Sequence, residues 1–534
     1  MNQAAAPAPG DDSQAKGAAK PADVTDPRVA RREKLRQIVE RGVDPFGSRF
    51  DDRDMIGCCH DRASEVKWTK EDGTDVPLPD FSDETLEYRQ WKSDNGPGEE
   101  TGPTVRVSGR IMLMRGQGKL IFLTMKDWTG QLQIFIGKNQ VGEEGFDLAK
   151  LFDLGDLVGA EGRLGRTNTG ELTVFAEKLY FHTKMLEVPP EKHAGLTNPE
   201  MRQRMRYADL AFNDGVIDTF MDRTRIIKSI RETLDGEGFC EVEGPTLHTI
   251  AGGAAARPFE THHNTLDMPL TMRIALELHL KRLMVGGMER VYEMGRVYRN
   301  EGISPRHNPE FTMIELYQAY GDYRSMMDLT EKLIVNAIDK IGGGYVRPFG
   351  DKMVDFTPPF KRATYAELFQ QATGIDPTDD ASVMELARKL HLETEGKHPD
   401  VIRNEIFEEK VEDSLDGPIF VIDYPASICP LTKRKRDQPE IAERFELFIL
   451  GMELANAYTE LNDPDLQEEL FKTQLEGQDD EDSMAKMDHD FVRALRYAMP
   501  PAGGLGIGID RLVMLLANKK SIRDVILFPL LRPE

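Results

Sequence analysis

Cysteine is scarce in this sequence, which has only Cys58, Cys59, Cys240 and Cys429 among 534 residues. Their spacing matches neither a disulfide framework nor a zinc-binding pattern. Long apolar runs are also missing. No stretch approaches the ~18 apolar residues of a transmembrane helix, and the N-terminal region has no apolar segment typical of a secretory signal. We therefore expect a protein of the reducing cytoplasm that does not associate with membranes.

An excess of positive charge is absent as well. Lys and Arg together number 68 against 92 Asp and Glu, which gives a net charge of −24. Contacts with nucleic-acid phosphates need Lys and Arg, so the overall charge argues against such a partner unless a local basic surface exists. A chain of this length should form about two to four domains.

Composition changes along the chain and predicts its organisation. The Ala- and Pro-rich start should be disordered, and the stretch that follows it is a basic amphipathic helix, either solvated or lying on an RNA backbone. Residues 473–490 are acidic and polar and predict a surface loop. The predicted segments are a tail at 1–27, the basic helix at 28–50, a β-barrel domain at 51–185 with an insertion at 71–103, a linker at 186–210, and a domain of mixed helices and strands at 211–534.

Five short strand-like stretches with glycine turns lie between residues 105 and 182. This pattern indicates a small β-barrel of the OB type, a fold that commonly binds single-stranded nucleic acid by stacking bases on aromatic rings. The alternative is that aromatics such as Phe122 and Phe135 belong to the barrel core. The candidate exposed contacts are Arg110, Arg115, Lys119, Phe122 and Gln131.

Residues 291–320 carry polar groups where a strand should be apolar. Two alternating runs flank the loop 300–309, which predicts an antiparallel strand–loop–strand. Phe311, Met313, Glu315 and Tyr317 would share one face of the second strand, with Arg299, Glu301 and His307 near the loop. Buried polar groups need partners. This face therefore either lines a ligand site or satisfies its own polar groups.

A glycine-rich segment near the C-terminal end precedes the helical stretch IDRLVMLL. Gly503, Gly504, Gly506 and Gly508 suggest a turn that binds phosphate, or else close packing of a helix on a sheet. A Rossmann fingerprint has no room here, and a P-loop lacks its Gly-Lys-Ser/Thr. Arg511 in the first helical turn opposes the helix dipole, which predicts an anionic or aromatic partner.

Two further segments carry carboxylates. In residues 443–464, Asn456, Tyr458 and Glu460 alternate and would share a strand face. Glu446 and Glu453 would lie opposite each other across a hairpin near Gly451, as a Mg²⁺ site completed by phosphates or as ordinary surface glutamates.

The other segment runs from residue 250 to the stretch RIALELHLKRL. Small residues there allow a backbone to approach a ligand closely. Glu277 stands in an apolar stretch and should be paired or face a ligand. His262 and His263 have no third ligand at metal-binding spacing.

Together these stretches resemble the class II aminoacyl-tRNA synthetases. Residues 220–245 are similar to motif 1 of that family, RNEGISPRHNPE (299–310) to motif 2, and GLGIGIDR (504–511) to motif 3. A barrel ahead of the catalytic domain fits the lysyl, aspartyl and asparaginyl members. The segments GGAAARPFETHHN and ELANAYTELNDP look lysyl, although Leu276 and Cys429 depart from that pattern.

The resemblance covers residues 28–534 and implies an α+β protein, with an N-terminal OB-fold anticodon-binding barrel followed by a class II catalytic domain whose antiparallel sheet is flanked by helices. It implies that ATP and Mg²⁺ are used to form lysyl-adenylate, which is transferred to tRNA(Lys) by a homodimer. The resemblance implies that Arg299 and Arg511 are catalytic, that Glu446 and Glu453 bind the metal, and that the five barrel residues named above bind tRNA. The implied ATP-binding residues are Arg299, Glu301, His307, Asn308, Phe311, Gly508 and Arg511. The implied lysine-binding residues are Gly253, Glu277, Arg299, Glu315, Tyr317, Asn456, Tyr458 and Glu460.

The chemistry of a lysine substrate agrees with this set, because an ε-ammonium needs acceptors such as Glu460, Tyr317 and Glu315, whereas an aspartate would need Arg or Lys. The alternatives are an aspartyl- or asparaginyl-tRNA synthetase, a non-catalytic RNA-binding relative of the same fold, and a paralogue that transfers lysine to a protein. A nicotinamide-dependent enzyme fails on the placement of the C-terminal glycines.

Overall fold

A computed structural model describes residues 26–79, 88–190, 195–254, 256–475 and 488–533. Nearly all of the predicted tail at 1–27 and most of the predicted loop at 473–490 lie outside these ranges. The chain divides into two units, one formed by residues 1–197 and 211–213 and the other by 198–210 and 214–534, so the division falls inside the predicted linker. No helix within the described ranges is long and apolar enough to cross a bilayer.

The first unit contains a closed five-stranded barrel with the strand order β4-β5-β6-β8-β7. Alternate residues such as Val107, Leu123, Ile134 and Val174 point inward and are buried, which is the period-two pattern of a barrel. The barrel predicted for residues 105–182 is confirmed. Its strands are β4 (Thr104–Gln117), β5 (Leu120–Lys126), β6 (Gln131–Gly137), β7 (Leu157–Arg166) and β8 (Leu172–Thr183).

The predicted insertion at 71–103 contains regular structure that its irregular sequence did not indicate. It supplies two strands of a small sheet, ordered β2-β1-β3, and one helix. Glu100 from this segment accepts a hydrogen bond from Arg163 Nη1 of β7 at 2.8 Å. The elements are β1 (Lys67–Lys70), β2 (Asp75–Pro77), β3 (Gly98–Thr101) and α3 (Tyr88–Asp94).

The basic helix α1 spans Pro27–Glu40, and contacts within the unit occupy several of its cations. Arg31 donates to the carbonyls of Met185 and Leu154 at 3.0 and 2.9 Å, and Lys34 pairs with Asp153 at 2.6 Å. These cations stabilise the unit, which leaves fewer of them for RNA than the sequence alone suggested. The other helices of this unit are α2 (Ile56–Asp61) and α4 (Lys138–Ala149).

The second unit is built on an eight-stranded sheet with the order β17-β18-β19-β20-β21-β14-β13-β9. It is antiparallel except at its two ends, where β9 runs parallel to β13 and β17 runs parallel to β18. The strand–loop–strand predicted at 291–320 is confirmed, since β13 pairs antiparallel with β14 from Arg290–Gln318 to Tyr298–Glu310. The strands are β9 (Cys240–Glu241), β13 (Arg290–Tyr298), β14 (Glu310–Ala319), β17 (Lys361–Thr364), β18 (Ile419–Ile422), β19 (Arg444–Ile449), β20 (Met452–Thr459) and β21 (Ala502–Gly508).

Helices α7, α9 and α15 pack on the sheet and form its main core. Ile314 and Leu316 of β14 point into that core, so Met313, Glu315 and Tyr317, which alternate with them, point to the opposite face. The helices are α5 (Pro199–Arg204), α6 (Arg206–Phe212, across the division), α7 (Val216–Gly236), α8 (Glu277–Val285), α9 (Tyr323–Ile341), α10 (Tyr365–Thr373), α11 (Asp380–Lys389), α12 (Pro399–Lys410), α13 (Pro464–Leu475), α14 (His489–Leu495) and α15 (Ile509–Leu516). Two small sheets complete the unit, with the strands β10 (Leu247–His248), β11 (Glu260–His263), β12 (Met268–Met272), β15 (Val346–Phe349) and β16 (Lys352–Asp355).

The C-terminal glycine segment differs from its prediction. Gly503, Gly504, Gly506 and Gly508 do not form a turn but lie in β21, at the middle of the large sheet between β14 and β20. Only at Gly508 does the chain enter helix α15. Leu505 and Ile507 of this strand point into the core, whereas the glycines that alternate with them leave space on the other face for the residues of the two neighbouring strands.

Candidate active site

A cavity of about 450 Å³ lies on the face of the sheet opposite the helical core, above β14, β20 and β21. Phe311, Met313, Glu315 and Tyr317 all line it, as the alternation of β14 predicted. The cavity also brings together every residue predicted for ATP and for lysine, namely Gly253, Glu277, Arg299, Glu301, His307, Asn308, Phe311, Glu315, Tyr317, Asn456, Tyr458, Glu460, Gly508 and Arg511.

Asp510 fixes the start of helix α15 and thereby the position of Arg511. Its carboxylate is 1 % exposed, pairs with Arg223 of α7, and accepts a hydrogen bond from the backbone N–H of Thr312 at 2.7 Å. The Asp510 side chain therefore links helix α15 to helix α7 and to strand β14. Because Thr312 follows Phe311, this contact sets Phe311 and Arg511 on the same part of the cavity wall.

Arg511 has the anionic partner that its position in the first helical turn predicted. Its Nη1 atom donates to the Glu453 carbonyl at 2.6 Å and lies 3.6 Å from the Glu453 carboxylate. Its Nη2 atom lies 3.1 Å from His307 Nε2. Burial lowers the pKa of His307, and Arg511 adds to that shift, so the imidazole is neutral at pH 7.

Arg299 brings a second guanidinium into the cavity. Its Cζ atom lies 5.2 Å from the centroid of the Phe311 ring, and its Nε atom donates to the Ile274 carbonyl at 3.4 Å. Burial lowers the pKa of Arg299, while the charges of Glu315 and Glu301 oppose that shift. A largely buried guanidinium that remains charged is suited to hold an anion such as a phosphate or carboxylate.

Three buried carboxylates line another part of the cavity. Glu277, Glu315 and Glu460 are 4 %, 5 % and 0 % exposed. Glu315 accepts hydrogen bonds from the Leu276 backbone N–H at 3.0 Å and from the Tyr317 hydroxyl at 3.2 Å. Burial raises the pKa of Glu315 to about 7, and the charge of Glu277 adds to this. Such a concentration of buried negative charge favours a cationic ligand group.

The two predicted metal ligands are not opposite each other, which corrects the predicted hairpin. Glu453 pairs with Phe448 next to the turn, and a register shift between Leu447 and Phe448 then pairs Glu446 with Asn456. Glu453 lines the cavity, whereas Glu446 does not and is bound by Tyr424 and Arg444. Burial raises the pKa of Glu446, an effect that Arg444 opposes. Within the described ranges, no cluster of three or more His, Cys, Asp or Glu could hold a metal on its own.

On the barrel, one row of side chains crosses all five strands. Arg115 pairs with Phe122, Phe122 with Phe135, Phe135 with Phe175, and Phe175 with Arg163. Adjacent ring centroids lie 5.2 and 5.3 Å apart, and each terminal guanidinium lies about 5 Å from its ring. The rings are half-buried on the outside of the barrel, so they do not belong to its core.

The other predicted tRNA contacts are placed differently. Lys119 and Gln131 are exposed, as expected. Arg110 was predicted to be exposed but is half-buried: its Nη1 atom donates to the Gly155 carbonyl at 2.8 Å, and its guanidinium lies 5.5 Å from the Phe212 ring. Arg110 therefore stabilises the unit and lies apart from the aromatic row.

Comparison with known proteins agrees with both the barrel and the unit that contains the cavity. The family model "tRNA synthetases class II (D, K and N)" matches residues 198–532, and the model "OB-fold nucleic acid binding domain" matches residues 105–181. The chain is 47 % identical over 515 residues to a lysine–tRNA ligase of Lysinibacillus sphaericus, covering 96 % of this chain and 98 % of that protein. The lysine–tRNA ligase of Bacillus subtilis is 46 % identical over 516 residues, with the same two coverages. This chain belongs to the lysine–tRNA ligase family of class II synthetases.

Membership of this family accounts for the motifs that the sequence displayed. The motif 2 loop supplies Arg299 and His307, and motif 3 supplies Asp510 and Arg511 on the same cavity. Neither motif could be placed in three dimensions from the sequence, because the β14–β21 pairing joins segments almost 200 residues apart.

Sequence reasoning missed two residues that shape the cavity, Lys281 and Arg444, and gave a third, Gly504, a different role. Lys281 of α8 is buried and contacts Glu277 and Glu460 at 2.6 and 2.5 Å. Arg444 of β19 donates to Asn456 Oδ1 at 3.2 Å and also pairs with Glu446. Gly504 leaves space for Glu460, because a Cβ atom there would lie 1.9 Å from Glu460 Oε1. The spacing of Glu277 and Lys281 by four residues was a visible signal, but it is also the spacing of an ordinary helical ion pair.

Proposed function

We propose that this chain activates L-lysine with ATP and transfers the lysyl group to tRNA(Lys). The observation that carries this proposal is the set of buried carboxylates Glu277, Glu315 and Glu460 in the same cavity as Arg299 and Arg511. The carboxylates suit the two ammonium groups of lysine, and the arginines suit the phosphates and carboxylate of the reacting groups.

In the first step the lysine carboxylate attacks the α-phosphate of ATP in line. A new oxygen–phosphorus bond forms, the bond between the α-phosphate and its bridging oxygen breaks, and pyrophosphate leaves. Reactions of this kind depend on positioning and on charge stabilisation. In this proposal Arg299 holds the α-phosphate and the carboxylate, while Phe311 and Arg511 hold the adenine between an aromatic ring and a guanidinium plane.

In the second step the terminal ribose hydroxyl of tRNA attacks the carbonyl carbon of lysyl-adenylate, and AMP leaves. The barrel row Arg115–Phe122–Phe135–Phe175–Arg163 supports binding of unpaired tRNA bases, since aromatic rings stack on any base and the Arg115 guanidinium attracts phosphates. Arg163 is already paired with Glu100 at 2.8 Å.

The same cavity would select lysine over aspartate and asparagine. The matched family model groups the synthetases for these three amino acids together. An aspartate side chain would bring a fourth carboxylate against three buried ones, and asparagine offers no charge to compensate them. Tyr458 donates a hydrogen bond to Glu277 Oε2 at 3.1 Å, which orients that carboxylate. We assign Gly253 and Glu277 to the α-amino group, Asn456 to the carboxylate, and Glu315, Tyr317 and Glu460 to the ε-ammonium.

Mg²⁺ fits the edge of the cavity where Glu453 lies. Glu453 and Glu446 offer the hard oxygen donors that Mg²⁺ prefers, and phosphate oxygens of ATP would supply further ligands. When bound, the ion neutralises charge on the polyphosphate. Glu446 suits this role less directly than Glu453, because Tyr424 and Arg444 already bind its two oxygens.

We also propose a homodimer in the cytoplasm. The resemblance of residues 220–245 to motif 1 supports dimerisation, as do exposed apolar side chains of the second unit such as Leu247 and Phe528, 49 % and 72 % exposed. All four cysteines carry free thiols, which fits a reducing compartment. Sedimentation at several concentrations would test the dimer.

The deciding experiment is ATP–pyrophosphate exchange with each of the twenty amino acids in turn, followed by charging of total tRNA with labelled lysine. We expect exchange with lysine alone, and lysyl-tRNA that requires ATP. Exchange with aspartate or asparagine instead would identify another member of the class. Failure to exchange with any amino acid would identify a non-catalytic relative.

A further inference from the structure

Lys281 in the second unit is completely buried and contacts, from outside the cavity, two of the carboxylates that we assign to lysine binding. Lys281 is 0 % exposed, and its Nζ atom lies 2.6 Å from Glu277 Oε1 and 2.5 Å from Glu460 Oε2. Glu277 and Glu460 line the cavity, whereas Lys281 does not. The ammonium therefore contacts one oxygen of each carboxylate from outside the cavity.

The remaining oxygens of these two carboxylates are in different states. Glu277 Oε2 accepts a hydrogen bond from the Tyr458 hydroxyl. Both oxygens of Glu460 are buried without a hydrogen bond among the described residues; Oε2 is held by the ion pair with Lys281, whereas Oε1 has no such cation. Oε1 lies so close to Gly504 that any larger residue there would displace it. A buried carboxylate oxygen without a donor is costly, so Glu460 Oε1 is an acceptor that awaits a ligand.

Two interpretations of Lys281 are open to test. Three rings lie about 6 Å from its Nζ atom, those of Tyr317, Tyr458 and Phe491, so the surroundings of Lys281 are chemically those of an ammonium-binding site. Lys281 therefore either occupies the place of the substrate's ammonium and must leave, or stays and prepares Glu460 for it. Departure would leave a buried charge without a partner, and Lys281 is fully buried and does not line the cavity, so the geometry favours the second interpretation.

We propose that Lys281 is a positioning residue for lysine specificity, which fixes Glu277 and Glu460 from behind the cavity and keeps Glu460 Oε1 directed at the ε-ammonium of the substrate. This inference rests on the proposed function. Lys281 itself touches neither substrate nor the reacting atoms.

The charges around Glu460 give the proposal a second consequence. Lys281 of α8 faces Glu460 as its cation, while Glu277 of α8 and Glu315 of β14 face it as anions, beside the hydroxyls of Tyr317 and Tyr458. Burial raises the pKa of Glu460, and Lys281 opposes this shift. Without Lys281 this opposing charge is lost and the pKa of Glu460 rises further, so a larger fraction of the carboxyl group is protonated at a given pH and attracts an ammonium less strongly.

The test compares wild type with Lys281→Met, Lys281→Gln and Lys281→Arg in ATP–pyrophosphate exchange. We expect Lys281→Met to raise the KM for lysine about 10- to 100-fold, the effect of losing one charged hydrogen bond, with the KM for ATP within about twofold. The lysine KM should fall as the pH rises and Glu460 ionises, and in Lys281→Met this fall should occur at a higher pH than in wild type. Lys281→Arg keeps the charge and should restore the wild-type pH profile.

Lys184→Met is the matched control. Lys184 of the first unit is also 0 % exposed and bridges two carboxylates, those of Asp153 and Asp156, each at 2.7 Å. Its loss should lower the melting temperature but leave the exchange KM for lysine unchanged. If Lys281→Met is too unstable for kinetics, Lys281→Gln replaces it. The rise in melting temperature caused by lysine can then be compared with the rise caused by ATP, which measures lysine binding without turnover.

The outcomes separate the two proposals. A wild-type protein that shows no lysine-dependent exchange overturns the proposed function. A wild-type protein that exchanges normally, together with Lys281→Met of unchanged lysine KM, overturns only the role of Lys281. A lower lysine KM in Lys281→Met would show that Lys281 competes with the substrate, which also overturns the positioning role.

Discussion

The substitution Gly504→Ala tests whether Glu460 contacts the substrate. It adds a methyl group to the strand next to Glu460, which should displace the Glu460 carboxylate. The new Cβ atom would lie 1.9 Å from Glu460 Oε1 and 2.7 Å from Tyr317 Cε1. Restoring an ordinary contact of about 3.4 Å requires Glu460 to move by about 1.5 Å. Misplacement of a binding group by ~1 Å can cost on the order of 100-fold, so we expect lysine kcat/KM to fall about 100-fold, or ~2.7 kcal/mol.

Gly506→Ala is the control for this change. Gly506 lies two residues further along β21 on the same face, and its added Cβ would find its nearest atom, Met313 Cε, at 3.6 Å. We expect the melting temperature of Gly506→Ala to stay near that of wild type, whereas Gly504→Ala should lose ~1–3 kcal/mol of stability by overpacking. Exchange kinetics at saturating ATP measure the effect on lysine. A lysine kcat/KM for Gly504→Ala within twofold of wild type would refute the contact between Glu460 and the ammonium.

Four further predictions concern single groups. Arg299→Ala should reduce pyrophosphate exchange at least 100-fold without unfolding the protein, which circular dichroism checks. Since burial raises the pKa of Glu315 to about 7 and only the ionised form attracts an ammonium, the KM for lysine should fall from pH 6 to pH 8 and flatten in Glu315→Gln. Glu453→Gln should raise the Mg²⁺ concentration that half-saturates exchange. Phe122→Ala should raise the KM for tRNA in charging but spare exchange, and equal effects on both would contradict a role in tRNA binding.

Local periodicity was enough to predict the polar face of β14. Side chains alternate along a strand whatever surrounds it, so Phe311, Glu315 and Tyr317 could be assigned to one face from their spacing alone. The same rule placed Asn456, Tyr458 and Glu460 together, and all three line the cavity. These predictions succeeded because they required no knowledge of which strands are neighbours.

Relations between segments were not predictable in this way. The β-bulge that follows Leu447 shifts the pairing of Glu446, and nothing in the alternation of that hairpin reveals it. Gly504 was interpreted as part of a phosphate-binding turn, although its role here depends on Glu460 in the next strand. Lys281 has the spacing of a surface ion pair with Glu277, and only the tertiary contact with Glu460 shows that it is buried.

In the proposed function, the buried charges around the lysine-binding carboxylates would let the site select lysine over aspartate and asparagine. Glu277, Glu315 and Glu460 contribute three negative charges when ionised, while Arg299 and Lys281 contribute two positive charges, so one negative charge remains in excess. A lysine with both amino groups protonated carries one positive charge and completes the balance, whereas aspartate would add a second excess negative charge in a site shielded from water. Without Lys281 the excess would be two, and protonation of a carboxyl group would be the simplest relief. On this proposal, selectivity for lysine depends on Lys281, a cation that does not contact the substrate.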